Sequence, residues 1–183
     1  MYQKSILRKK YLNLRKRKYC AINKEFFDSF LSFVKSNFKK KNLNLALYYP
    51  TSFEINVLKI LENKSMIDKN ILLPVIEKNN VMNFFSWKKN NVLLVNKFGI
   101  LEPVKSKIKI PDIILVPILA FDRNKCRLGY GKGFYDRYLN KYLKKFSNIL
   151  TVGVAFSFQK YHKLPIEKND VKLDYILTEK GIH

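Results

Sequence analysis

Apolar residues recur along this chain with two periods in turn, and that alternation predicts its architecture. Leu7, Tyr11 and Leu14 form a stripe at helical spacing over residues 2–19. Residues 22–39 repeat the signal with Phe27, Phe30, Leu31, Val34 and Phe38. Leu43 to Tyr48 reads as a strand. Pro50-Thr51-Ser52 reads as a turn whose Thr or Ser caps a helix from Phe53 to Asn63, with Glu54 in its first turn, where a carboxylate complements the helix dipole. Ile71 to Ile76 is strand-like, and Pro74 within it predicts an edge or a strand end. Val81 to Trp87 is a shorter strand and Phe98 to Pro103 an ordered loop. Asp112 to Val116 is a buried strand, followed by a polar glycine loop and a helix from Phe134 to Phe146, in which Phe134, Tyr138 and Tyr142 stand four apart. Ile149 to Phe156 and Leu173 to Thr178 are β-prone, with a loop at Leu164 to Asp170 between them. Helices alternating with short apolar strands predict an α/β layered fold: a mostly parallel sheet flanked by helices, Rossmann-like, in one domain spanning 1–183.

The chemistry concentrates after the Asp112 to Val116 strand. Gly129, Gly131 and Gly133 alternate immediately before a helix. Strand, glycine loop and helix together present bare backbone amides to an anion at a helix N-terminus. Arg127 and Lys132 add positive charge, and Asp136 adds a carboxylate able to hold a divalent cation. That set suits a nucleotide with its metal. It is not a Walker A loop, because Lys132 is followed by Gly133 rather than Ser or Thr. The last glycine spacing is wrong for the dinucleotide fingerprint. A turn that needs positive φ is the competing account of the glycines.

Composition narrows the remaining classes. Cys20, Cys126, His162 and His183 are the whole supply of soft ligands, with no Cys-x-x-Cys, too few for a structural zinc site of about four. No apolar run approaches the ~20 residues of a membrane span. The basic N-terminus lacks the apolar block of a signal peptide, so a cytoplasmic chain is expected; it is also expected to be a monomer. The net charge of +22, from 36 Lys and Arg against 14 Asp and Glu, fits a nucleic-acid footprint or a codon bias toward Lys, Asn, Ile, Phe and Tyr. The lysines are scattered and no Arg-rich tail stands out, which favours the second account, so no nucleic-acid partner is expected. The charge would still steer small polyanions toward the protein.

The run Arg127-Leu-Gly-Tyr-Gly-Lys-Gly-Phe-Tyr-Asp-Arg-Tyr-Leu139, with Pro117-Ile-Leu-Ala-Phe-Asp122 before it, resembles the signature of the 5-formyltetrahydrofolate cyclo-ligase family. Lys4-x-x-x-Arg8, Tyr49-Pro-Thr-Ser-Phe-Glu54, Phe98-Gly-Ile-Leu-Glu-Pro103, Gly153 to Gln159, Leu164-Pro165 and Asn169-Asp170 resemble further family segments in order. The resemblance implies ATP-dependent closure of 5-formyltetrahydrofolate, free or polyglutamylated, to 5,10-methenyltetrahydrofolate, with Mg2+. It implies that Lys4 and Arg8 reach the ATP phosphates from the first helix. Arg127, Leu128, Gly129, Tyr130, Gly131, Lys132, Gly133, Phe134 and Tyr135 would surround the nucleotide, with Arg127, Lys132 and Asp136 the catalytic set. Asp136 and Asp170 would hold the metal, Asp174 being the alternative to Asp170. Glu54 would bond the pterin, with Tyr49, Phe98 and Phe134 lining its slot. The family has two tyrosines after the glycines where this chain has Phe134-Tyr135, a loss of one hydrogen bond worth about 0.5–1.5 kcal/mol.

Overall fold

A computed structural model describes residues 2–183. In chain order the elements are α1 (Tyr2–Lys18), α2 (Asp28–Asn37), β1 (Asn44–Ala46), β2 (Asn70–Ile76), β3 (Met82–Ser86), β4 (Leu93–Val95), β5 (Leu101–Pro103), β6 (Ile108–Lys109), β7 (Ile113–Pro117), β8 (Ala120–Phe121), β9 (Arg127–Leu128), α3 (Phe134–Tyr142), β10 (Leu150–Val154), β11 (Tyr175–Thr178) and β12 (Gly181–Ile182). Eight strands make the main sheet in the order β12-β11-β10-β7-β1-β2-β3-β6. Its centre, from β11 through β10, β7 and β1 to β2, is parallel, and antiparallel strands border it on both sides.

A continuous apolar strand is what a doubly covered sheet requires. Ile113 to Val116 in β7 are each 0% exposed. Ile113 and Leu115 join a core cluster with Phe27, Phe30 and Val34 on the α2 side. Ile114 and Val116 point the other way, into a cluster with Tyr138 and Leu139 of α3. The result is the three-layer arrangement that the pattern predicts. α1 packs elsewhere: its Leu7 and Tyr11 cluster with Leu119, Ala120, Leu128 and Leu164 around the small β8–β9 ladder. No helix among the described residues is long and apolar enough to cross a membrane.

Several expectations are corrected. Ser52 and Phe53 take left-handed φ values of 49° and 62°, so no right-handed helix can start at Phe53. A 3-10 helix begins instead at Val57, capped by Asn56, whose side chain accepts from the Leu58 N–H at 3.1 Å. Glu54 therefore sits in a turn and not in a first helical turn. The 22–39 segment begins as a 3-10 turn at Lys24–Phe27 before α2. The ordered loop after Phe98 closes into a hairpin, β5 pairing with β4. α3 ends at Tyr142, short of Phe146.

Pro74 lies neither at an edge nor at a strand end. β2 runs between β1 and β3, and Pro74 pairs with Phe84. Trp87 donates to Ile71 and Glu77 to Val81, so odd positions of β2 bond β3 and even positions point toward β1. β1 has already stopped beside Leu72. On that side the Glu102 carboxylate of β5 accepts from the Ile76 N–H at 2.8 Å, and Pro74 has no N–H to satisfy.

Candidate active site

The chain leaves β1 toward β2 on one side and returns to β7 on the other, so the sheet order reverses between β1 and β7. Ligands of open α/β sheets bind outside the carboxyl ends of the strands at such a point. A cleft of about 1250 Å³ lies there. Tyr48 and Tyr49 enter it after β1, Pro74 and Ile76 from β2, and Pro117 from the end of β7. Of the residues singled out for the site, all but the alternative metal ligand Asp174 line it: Lys4 and Arg8 of α1, Tyr49, Glu54, Phe98, the unbroken run from Arg127 to Asp136, and Asp170.

At one end the walls are charged. Gly131 and Gly133 take φ of +91° and +68°, and Gly133 caps α3 in left-handed conformation without a side-chain cap. The first amides of α3 therefore have no side-chain acceptor. Gly129 differs, because its φ is ordinary and a Cβ there would meet nothing within 4 Å. The fold does not need a glycine at 129; a ligand pressed against the backbone would.

Arg8 Nε donates to the Gly129 carbonyl at 2.9 Å, fastening α1 to the loop. Lys4, only 6% exposed, donates to Asp170 Oδ2 at 2.5 Å, with Glu167 Oε2 at 3.4 Å. Arg127 is buried; it donates to the Val171 carbonyl at 2.6 Å and to Asp136 Oδ1. Burial pulls the Arg127 pKa down, and the Asp136 carboxylate opposes that pull. Lys132 is exposed, its Nζ 5.5 Å from the centre of the Phe98 ring, and among the described residues it has no carboxylate partner.

Asp136 and Asp170 are the hard-oxygen donors of this end. Both protein contacts of Asp136 fall on Oδ1, from Arg127 and from the Val171 N–H at 3.4 Å. Both contacts of Asp170 fall on Oδ2, from Lys4 and from the Glu167 N–H at 2.8 Å. Each retains one oxygen outside these bonds. Among the described residues no three His, Cys, Asp or Glu gather into a metal cage. Two carboxylates beside a phosphate loop still fit magnesium, which is held by one or two carboxylates together with phosphates and water. Asp174 does not line the cleft: its Oδ2 accepts from the Thr151 N–H at 2.8 Å and hydroxyl at 2.7 Å, tying β10 to the start of β11. The alternative metal assignment to Asp174 is thereby removed.

The cleft also holds aromatic side chains and the buried carboxylate of Glu54. Phe98 and Phe134 meet at 5.7 Å between ring centres, and the Arg137 guanidinium lies 5.4 Å from the Phe134 ring. Glu54, 7% exposed, accepts from the Thr51 N–H at 2.7 Å and from the Tyr130 hydroxyl. Burial raises its pKa, and those hydrogen bonds lower it in part. Among the described residues the buried Tyr135 hydroxyl has no hydrogen-bond partner, and burial pushes its pKa upward. A buried hydroxyl with no acceptor is costly unless a ligand supplies one.

Sequence reading missed several of these residues. Arg137, Lys141 and Lys144 of α3 and the segment after it also line the cleft, at a spacing of four and three that a helix face could have revealed. Glu102 and Glu167 line it as well. Arg15, behind the wall, carries no sequence signal.

A family model described as the 5-formyltetrahydrofolate cyclo-ligase family matches residues 2–179. A 5-formyltetrahydrofolate cyclo-ligase of Haemophilus influenzae is 35% identical over 142 residues, covering 74% of this chain and 75% of that protein. A probable 5-formyltetrahydrofolate cyclo-ligase of Schizosaccharomyces pombe is 32% identical over 157 residues, covering 78% and 76%. The NMR structure of Aquifex aeolicus 5,10-methenyltetrahydrofolate synthetase aligns with a TM-score of 0.73 at 33% identity, covering 98% of this chain and 91% of that one.

Proposed function

This chain belongs to the 5-formyltetrahydrofolate cyclo-ligase family, and on that premise we propose that its cleft converts 5-formyltetrahydrofolate and ATP to 5,10-methenyltetrahydrofolate, ADP and phosphate. The observation that carries this reading is the layout of one cleft. A glycine loop with its cations lines the same cleft as three aromatic side chains, Tyr49, Phe98 and Phe134, and the buried carboxylate of Glu54.

An N-formyl oxygen is a poor leaving group. It attacks the γ-phosphorus of ATP, and ADP departs, leaving an imidate-like phosphate on the formyl carbon. The second folate nitrogen then attacks that carbon and gives up its proton to solvent, the C–O bond breaks, and phosphate leaves with the electron pair. Such chemistry needs positioning and charge neutralisation rather than a nucleophilic side chain. Lys4, Arg8 and the amides of residues 129–133 hold the phosphates. Arg127 and Lys132 lie where charge develops on the transferring group. Asp136 and Asp170 would hold magnesium, which when bound supplies charge neutralisation at the phosphate oxygens. Glu54 accepts N–H donors of the pterin, and Tyr49, Phe98 and Phe134 form its slot. Arg137, Lys141 and Lys144 are suited to the carboxylates of a polyglutamate tail. The reading takes the enzyme as a cytoplasmic monomer.

The test is the rise of the methenyl chromophore on mixing protein with 5-formyltetrahydrofolate, magnesium and ATP. A rise that needs ATP and magnesium and collapses in Asp136→Ala supports the reading. No rise from folded protein sinks it.

A further inference from the structure

Arg15 is a buried cation that does not face the cleft. It is 1% exposed and stands behind the wall. Its guanidinium donates to the Ser52 carbonyl at 2.6 Å, the Ile118 carbonyl at 3.4 Å and the Tyr130 hydroxyl at 2.5 Å. The Tyr130 hydroxyl in turn donates to Glu54 Oε1. A guanidinium can only donate, so the Tyr130 oxygen must accept from Arg15, and its single proton is left for Glu54. Glu54 Oε2 already accepts from the Thr51 N–H and hydroxyl. Both carboxyl oxygens are therefore addressed by donors, which is the arrangement of an ionised group. A carboxylate so buried would otherwise tend to take up a proton.

We propose that Arg15 is a positioning residue for the folate half of the reaction: through the Tyr130 hydroxyl it holds Glu54 as an oriented carboxylate facing the cleft. The inference rests on Glu54 receiving the pterin donors, as proposed above. It also gives Tyr130 a second part. Its backbone belongs to the phosphate loop, while its side chain fixes the substrate carboxylate. The charged and titratable groups around Glu54 are Arg15 from α1, Tyr130 from the loop, Tyr48 after β1 and Tyr135 on α3. All three tyrosines are pushed up by burial and stay neutral, so an acid limb in this neighbourhood belongs to Glu54.

The decisive variant is Tyr130→Phe, which keeps the ring and removes the relay. kcat/KM for 5-formyltetrahydrofolate would be measured against pH, with KM for ATP alongside. Losing a donor to the charged form raises the Glu54 pKa, so the acid limb moves to higher pH by about one unit. Folate KM rises about tenfold, as for one hydrogen bond to a charged group, while ATP KM stays within about twofold. Arg15→Met moves the limb the same way, because the hydroxyl is then free to turn. If that variant does not fold, Tyr130→Phe still decides. A purely structural brace would lower thermal stability and disturb both KM values without moving the limb, and an unmoved limb in Tyr130→Phe overturns the proposal. Glu54→Gln separates the two levels. If folate KM is unchanged there, the placement of Glu54 against the pterin falls, and the relay with it. If folate KM rises there but the limb is unmoved in Tyr130→Phe, the relay alone falls.

Discussion

Replacing Gly129 with alanine separates what the glycine loop does for the fold from what it does for a ligand. In the free protein the new methyl meets nothing within 4 Å, and the backbone there is not left-handed. The substitution should leave stability unchanged or raise it by about 0.4–1 kcal/mol through a stiffer unfolded chain. For a chain of this size that is a Tm gain of at most about 4 °C. A bound phosphate meets a different situation. Its oxygens accept from loop amides at about 2.9 Å, closer than the about 3.5–4.0 Å that a methyl carbon requires. The phosphate must then retreat by about 1 Å, and a misplacement of that size costs on the order of 100-fold in turnover.

Gly131→Ala is the contrasting case. Its φ of +91° is closed to alanine, and the Cβ would lie 3.1 Å from Arg8 Cζ. Backbone strain of about 1–2 kcal/mol is joined by displacement of Arg8 from the Gly129 carbonyl, so Tm should fall by about 4–8 °C. The assay pairs thermal unfolding without ligands with ATP saturation of the chromophore reaction. Gly129→Ala with normal Tm and normal ATP kinetics would refute phosphate approach at that glycine. A large loss of Tm would refute the clearance from which the argument starts.

Three further outcomes follow from single observations. Phe134→Tyr restores a hydroxyl beside Phe98 and should lower folate KM by about two- to tenfold, the worth of one hydrogen bond, leaving ATP KM alone; an unchanged folate KM would place that hydroxyl off the substrate. Gly153→Ala puts a Cβ 2.7 Å from Leu173 Cδ1 and 2.9 Å from Ile176 Cδ1, so overpacking should cost about 1–3 kcal/mol in chemical denaturation; a smaller loss would show that these leucine and isoleucine ends give way. Glu54 has a raised pKa, first through burial. Its folded form therefore favours the proton, and the associated stability is full below the ordinary carboxyl value of 4.5 and lost as pH rises through the folded pKa. Melts from about pH 4 to pH 7 should show the wild type losing ground to Glu54→Gln as pH rises, and a gap that stays constant or narrows would contradict the sign.

The layering was legible because burial on both faces leaves an unbroken apolar strand, as at Ile113 to Val116, and burial on one face leaves a helical stripe, as at Phe27, Phe30 and Val34. The glycine loop was legible because its amides, cations and carboxylate lie within ten residues of one another, Arg127 to Asp136. What failed was set by partners far along the chain. Pro74 looked like an edge because the sequence cannot show that β1 stops beside Leu72 and that Glu102 takes over the donors beyond it. Glu54 looked helical because nothing local announces left-handed conformation at Ser52 and Phe53. Arg15 had no local signal, since its partner Tyr130 lies 115 residues away.

The cleft's charged end carries its own reason for being stable before any ligand arrives. Lys4 and Arg127 are buried cations, and removing a cation's partner from a buried pair costs about 3–5 kcal/mol. Their partners are Asp170 and Asp136, the carboxylates proposed for the metal. The groups that nucleotide and magnesium would engage are thus held against one another. On binding, each of these two cations would turn part of its interaction toward phosphate, and each of the two carboxylates would offer its second oxygen to the metal, so neither pair leaves a charge unpaired in either state. This explains why the donors cluster as pairs across α1, the glycine loop, α3 and the 167–170 segment. It also means that single charge removals at this end act on fold and function together, and that Asp136→Ala must be read beside its own Tm before its lost activity is assigned to the metal.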